Sequence, residues 1–147
     1  MNDKYVFKYV GLGCRTPTRE EIAIRRTARN LKTGAPEAIK QAAPEMAALI
    51  DGPCWLVPVP ASDGTTTANL ALANAIAALV TGARVKRAVG RARPVESSCE
   101  RRIRGLPGLS VEEHGIIRTT GPLQTLPVYF IDNVITTGTT VAACRRA

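Results

Sequence analysis

Apolar and polar positions follow two different periods along this chain, and the switches between them mark out strands and helices. Tyr5 to Val10 alternates with period two and is stopped by Gly11-Leu12-Gly13, which predicts a short strand. Thr18-Arg-Glu-Glu21 carries a capping-box pattern, a hydroxyl at the cap and a carboxylate three residues on. A helix is therefore expected to run to about Leu31 and to stop at Gly34. Pro36 opens a second helix over Glu37 to Ile50, apolar at Ala38, Ile39, Ala42, Ala43, Met46, Leu49 and Ile50, with Pro44 expected to interrupt it. Trp55-Leu-Val-Pro-Val-Pro60 reads as a short apolar strand closed by proline, and Ala61-Ser-Asp-Gly-Thr65 as a turn. Thr66 to Val80 reads as a small-residue helix suited to close packing on a sheet, ended by Gly82.

Val85 to Val89 and Gly115 to Arg118 are short strand candidates, separated by a basic segment, Arg91 to Gly108, that has no clear period. Val128-Tyr-Phe-Ile131 is a β-branched and aromatic run, Asp132-Asn133 stand where it stops, and a Thr/Gly turn opens a helix at about Thr139. Alternation of this kind predicts an α/β fold with a mostly parallel sheet flanked by helices and ligands gathered at the carboxyl ends of the strands. No repeat or linker divides the chain. The expectation is one domain, with a strand and helical region over 1–50 leading into an α/β core over 51–147.

Composition narrows the class. With 147 residues and a 45% hydrophobic content the chain can bury a core. No apolar run approaches the ~20 residues of a membrane span, and Met1-Asn-Asp-Lys4 lacks the apolar stretch of a signal peptide, so a cytoplasmic protein without a membrane partner is expected. Cys14, Cys54, Cys99 and Cys144 are dispersed and form no Cys-x-x-Cys pair, which argues against zinc and for buried or free thiols. A net charge of +8 fits either a nucleic-acid partner or a small polyanion in a basic cleft. The clusters Arg84-Lys86-Arg87 and Arg101-Arg102-Arg104 have no interleaved aromatics, which disfavours a stacking surface for single strands.

The candidate chemistry lies at the end of the chain. Gly138 permits a tight turn, the backbone N–H groups of Thr136, Thr137, Gly138, Thr139 and Thr140 suit a phosphate, and the following helix adds its positive end. A plain β–turn–α unit would use the same turn only to cap its helix. The length and order of the whole stretch favour the phosphate reading. A Walker A loop is excluded, because no Lys follows the glycine. A dinucleotide fingerprint at Gly11-Leu-Gly13 lacks its third glycine.

Val128-Tyr-Phe-Ile-Asp-Asn-Val-Ile-Thr-Thr-Gly-Thr-Thr140 resembles the phosphoribosyl-diphosphate (PRPP) motif of type I phosphoribosyltransferases, except that Asn133 stands at its second acidic position. Leu31-Lys-Thr-Gly34 followed by Leu56-Val-Pro-Val-Pro60 is similar to the ComF-like branch, named for competence protein F of bacterial DNA uptake. The resemblance implies a type I phosphoribosyltransferase-like fold. It also implies a diphosphate loop at Ala61, Ser62, Asp63 and Gly64, and Arg101, Arg102 and Arg104 reaching the diphosphate from a flexible basic loop. Asp132 and Asn133 would contact the ribose, with Asp132 also holding Mg²⁺. The chain departs from the branch in lacking its Arg-rich loop after the proline strand, its four-cysteine module and the strand expected after the last helix, so it is expected to be C-terminally short. His114 is assigned no role and is expected at the surface.

The activity implied is transfer of the phosphoribosyl group from PRPP to a nitrogenous base with release of diphosphate. The partners implied are PRPP and a base or nucleotide, with a homodimer as the expected assembly and nucleic acid as a less favoured partner. The rival expectation is a non-catalytic PRPP- or nucleotide-sensing protein, or a nucleic-acid-handling protein of DNA uptake, that keeps the fold.

Overall fold

The computed structural model describes residues 4, 6, 16–123, 125–135 and 137–147. The strand expected at Tyr5 to Val10, Cys14 and Thr136 of the phosphate loop lie outside the described residues.

The N-terminal helix α1 (Arg19–Lys32) begins at the capping box read from the sequence. Glu21 N–H donates to Thr18 Oγ1 at 3.2 Å and Thr18 N–H to Glu21 Oε2 at 2.8 Å, satisfying two otherwise orphaned donors. Gly34, at φ +71°, turns the chain into α2 (Pro36–Ala47). Helix α2 runs through Pro44 without a break, contrary to the expected split. Pro44 and Lys40 are both exposed, so the carbonyl that loses its donor faces water.

Strand β1 (Trp55–Pro58) is the centre of a three-stranded parallel sheet, flanked by β2 (Arg84–Val85) and β5 (Val128–Ile131). The register pairs Trp55 with both Arg84 and Val128, and Pro58 with Ile131. Pro58 is tolerated in a central strand because the β2 ladder ends at Leu56, where Lys86 N–H donates to Leu56 O. The β5 side draws on the N–H groups of Trp55 and Val59, which donate to Pro127 O and Ile131 O. Between β1 and β2 the chain forms α3 (Thr67–Ala77), which buries Asn69, Leu72, Ala73 and Ile76. That i, i+3, i+4, i+7 stripe lies on the sheet.

The strand expected over Val85 to Val89 is divided. Ala88 N–H turns back to Lys86 O at 2.9 Å, and the chain re-forms as β3 (Val89–Arg91). β3 pairs antiparallel with β4 (Ile116–Arg118) in a separate two-stranded sheet. The basic segment between them contains α4 (Ser98–Ile103), with its own capping box of Ser97 and Glu100. The chain closes with α5 (Thr139–Arg146). The architecture is mixed α/β, as expected: a small parallel sheet flanked by helices, with a separate antiparallel strand pair beside it.

Two apolar clusters lie on the two faces of the sheet. Leu31, Ile39, Leu56, Leu72, Ile76 and Ile131 form one, so α1 and α2 share a core with β1 and β5. Val57, Val59, Ala88, Val89 and Cys144 form the other, against the hairpin and α5. Of the described cysteines, Cys54 and Cys144 are buried thiols and Cys99 an exposed one. No helix among the described residues is long and apolar enough to cross a membrane.

Leu72 is 1% exposed at the centre of the larger cluster. Leu72→Ala is expected to lower unfolding stability by about 2–5 kcal/mol through lost burial and a cavity, measured by urea denaturation.

Candidate functional site

Parallel pairing of β1 with β5 brings the segments that follow them, residues 59–66 and 132–135, together at the carboxyl ends of the strands. What joins them is the side chain of Asn69, the polar member of the buried stripe of α3 and 5% exposed. Its Nδ2 donates to Val59 O at 2.8 Å and to Asp132 Oδ1 at 3.2 Å, and its Oδ1 accepts from Asn133 N–H at 3.1 Å. The amide can face only one way, because the carbonyl of Val59 needs a donor and the N–H of Asn133 an acceptor.

Asp132 follows β5 directly and is partly buried. Burial pushes its carboxyl above the usual range. Hydrogen bonds from Asn69 and from the N–H groups of Val134 and Asn133, together with the charge of Lys32, act in the opposite direction. Asn133 contributes its backbone to this scaffold. Lys32, in the last turn of α1, contributes its charge at Asp132, and the Gly34 turn that follows packs on the start of α3, where an added Cβ would lie 3.5 Å from Ala68 Cα.

Arg91, at the end of β3, is a second cation here. Its Nε donates to Ala61 O at 2.7 Å, its Nη1 donates to His114 O, and Nη1 lies 3.4 Å from His114 Nδ1. Desolvation lowers its pKa, while Cys144, Asp132 and Asp63 favour its charge. Two donors of this guanidinium therefore go to main-chain carbonyls and not to either nearby carboxylate. His114 is buried, 5% exposed, which corrects the surface position expected for it. Burial and the adjacent Arg91 hold its pKa below 6.5, so the ring is neutral near neutral pH and Nδ1 is free to accept.

The loop expected to hold diphosphate is a tight turn with internal bonds. Gly64 takes φ +89°, Ala61 N–H donates to Thr65 O and Gly64 N–H to Ala61 O. Asp63 Oδ1 accepts from both the N–H and the hydroxyl of Thr65 at 2.8 Å, which lowers the Asp63 pKa. The amides of Ala61 and Gly64 are thus engaged within the turn, and Ser62 O accepts from Val95 N–H at 2.8 Å. Arg101 and Arg104 are tied to Glu96 at 3.7 and 2.8 Å, and Arg101 Nε also donates to Pro107 O. Arg102 is exposed on α4. The basic segment expected to be a flexible loop folds as a lobe around α4, in which Glu96 pairs with Arg101 and Arg104, while Glu112 pairs outside it with Arg146 of α5.

In the phosphate loop, Gly138 sits at the N-cap of α5 with φ +77° and no side-chain cap. Thr137 Oγ1 and Thr139 Oγ1 are 2.7 Å apart. No atom lies within 4 Å of an added Cβ at Gly138, so the glycine is required by backbone conformation and not by crowding. Thr139 N–H also lies 3.5 Å from Thr137 Oγ1; the loop, the helix end behind Gly138, a partly buried carboxylate and two cations together make a site suited to a phosphorylated, hydroxyl-bearing ligand.

Three of these participants, Asn69, Lys32 and Arg91, were not singled out from the sequence. The signal for Asn69 was its place on the stripe with Leu72, Ala73 and Ile76. Lys32 lies within the Leu-Lys-x-Gly segment. Nothing local distinguishes Arg91 from its basic neighbours. Comparison with protein-family models, curated proteins and solved structures found no match to this chain.

The His114 pair has a pH consequence. A folded-state pKa below 6.5 contributes stability that is fully present above about pH 6.5 and is lost as the pH falls through the folded value. Asp132 acts in the opposite sense above 3.8, and the lowered pKa values of Asp63 and Glu100 act only below 3.8 and 4.5. The thermal midpoint of His114→Asn is expected to fall less than that of the parent between about pH 7 and pH 5.5. Parallel midpoint curves would count against this account.

Proposed function

We propose that this protein binds PRPP, or a nucleotide 5′-phosphate, across the carboxyl ends of β1 and β5, and that it transfers the phosphoribosyl group to a nitrogenous base. A type I phosphoribosyltransferase-like fold is part of this proposal. The observation that carries it is the partly buried carboxylate of Asp132, held by Asn69 directly before a Thr/Gly loop and a helix N-terminus whose N-cap is Gly138.

In this reading the 5′-phosphate lies on the amides of the loop around Gly138, where main-chain donors and the helix end favour an anion. Asp132 accepts a hydrogen bond from a ribose hydroxyl and stabilises positive charge that develops on the sugar. A nitrogen lone pair of the base forms the new bond to the anomeric carbon as the carbon–oxygen bond to diphosphate breaks. The diphosphate departs with that electron pair, and the acceptor nitrogen gives up its proton where it carries one. Lys32 and Arg91 offer positive charge near Asp132 for an anionic ligand. Magnesium fits only as a companion of the ligand. No three His, Cys, Asp or Glu side chains come together among the described residues, so Asp132 would hold the ion with oxygens of the substrate, and the ion would neutralise diphosphate charge.

The second reading is ligand binding without turnover, supported by Asn133 at the position where a second carboxylate would strengthen metal binding. Titration calorimetry with PRPP and Mg²⁺, followed by diphosphate-release assays over a panel of bases, separates the two. Absence of PRPP binding would reject both.

Asp132→Asn is expected to weaken Mg²⁺-dependent PRPP binding at least about tenfold, the value of one charge-assisted hydrogen bond. Asn133→Asp is expected to raise affinity or turnover, because only the side chain changes while the N–H donated to Asn69 is kept. Gly138→Val is expected to abolish binding through strain at φ +77°, whereas Gly138→Asn, which tolerates that conformation, is expected to retain most of it. Equal loss in both Gly138 variants would mean that backbone conformation is not what the loop requires.

A further inference from the structure

His114 is the only histidine in the chain, and the fold buries it against an arginine. Its Nδ1 lies 3.4 Å from Arg91 Nη1, and the same Nη1 donates to His114 O. Arg91 Nε donates to Ala61 O at 2.7 Å, so one guanidinium joins both ends of the lobe over residues 92–115 to the turn at 61–65. Beside it, Val95 N–H donates to Ser62 O at 2.8 Å, and Ala92 N–H closes the lobe on Gly115 O at 2.9 Å. The ties between lobe and turn therefore gather around one ring.

Near neutral pH that ring presents an acceptor to a donor. Protonation turns Nδ1 into an N–H and the ring into a cation, so a donor then faces a donor and two like charges share a half-buried site. Arg91 cannot relieve the contact by losing its own proton. The surrounding charges leave the pair uncancelled. Glu113, next to His114, favours the imidazolium, but it is exposed and its carboxylate accepts from Ser110 N–H at 2.7 Å. Glu112 is engaged by Arg146 of α5. Asp63 of the turn and Asp132 after β5 favour the charge of Arg91 from a distance, while its described hydrogen bonds go to Ala61 and His114. Cys144 of α5 is a neutral thiol, its pKa pushed up to about 12 by burial.

We propose that His114 and Arg91 form an acid-released latch: protonation of the ring drives the guanidinium from it, and the base of the lobe parts from the 61–65 turn beside Asp132. The latch is closed above the folded-state pKa of His114, which burial and Arg91 hold below 6.5, and it opens as the pH falls through that value. The opening is local, because the larger apolar cluster, with α3, lies on the opposite face of the sheet and holds no part of the lobe. The latch is independent of phosphoribosyl transfer.

The test follows the unmodified chain by NMR as the pH is lowered. The Cε1–H resonance of a single histidine is unambiguous, and its midpoint is expected below 6.5. Across that midpoint, exchange of the Val95 amide, corrected for the intrinsic rate, is expected to quicken about tenfold while that of Leu72 in α3 stays unchanged. His114→Asn keeps the carbonyl that Arg91 uses but cannot titrate, and is expected to abolish the quickening. Arg91→Met is expected to move the His114 midpoint up toward 6.5 and to leave Val95 exchange fast on both sides of it. A ring that stays neutral until the protein unfolds, titration without change at Val95, or equal quickening at Leu72 would overturn the proposal. So would a midpoint unmoved by Arg91→Met, or a transition kept in His114→Asn, which would belong to Asp132, whose carboxyl is raised by burial. The measurements on the unmodified chain keep the proposal testable if a variant misfolds.

Discussion

One side-chain amide holds the working end of this protein together. A short parallel sheet leaves its strand ends as separate loops, because ladder hydrogen bonds stop where pairing stops. Asn69 bridges that gap from a third element, joining Val59, Asp132 and Asn133 from a buried position. A buried amide left unsatisfied would be costly, so the arrangement is cooperative: each partner is needed for the others to be tolerated. It also means that the helix on the sheet and the two loops above it are linked through one side chain.

The electrostatics built on that bridge favour function over stability. Asp132 is held in surroundings that favour its protonated form, and Arg91 is half-buried with donors directed at carbonyls. Neither arrangement is what a fold selected only for stability would choose, since burial penalises each charge without a direct ion pair to offset it. Perturbed groups gathered at the carboxyl ends of parallel strands are the physical ground on which a binding site is proposed there.

How much of this was legible in the sequence depended on how local the determining interaction was. The capping box at Thr18 and Glu21, the strand at Trp55 and the strand-to-helix turn at Gly138 are set by neighbours within a few residues, and each appears close to where the pattern put it. The antiparallel pairing of β3 with β4 joins segments with a whole lobe between them, and nothing in Val89-Gly-Arg91 announces its partner. Pro44 misled because the cost of proline in a helix depends on whether the freed carbonyl meets water, and exposure is a tertiary property. Arg101 and Arg104 drew attention as a dense charge cluster, yet Glu96, a few residues away, engages both. Arg91 was one arginine among many until the fold placed Ala61 and His114 beside it.

The lobe over residues 92–115 has a further consequence. It leaves from β3 and returns at β4, and its base is fastened by Arg91 to Ala61 and His114 and by Val95 N–H to Ser62 O. With both ends fixed, the entropy of closing such an excursion grows only slowly with length, by about 0.6 kcal/mol for each doubling. Insertions or deletions at its tip therefore leave the strand ends undisturbed. Length and composition at the tip can therefore vary, while Arg91 and Val95 hold the base of the lobe to Ala61 and Ser62 of the loop beside Asp132, and Glu112 pairs with Arg146 of α5.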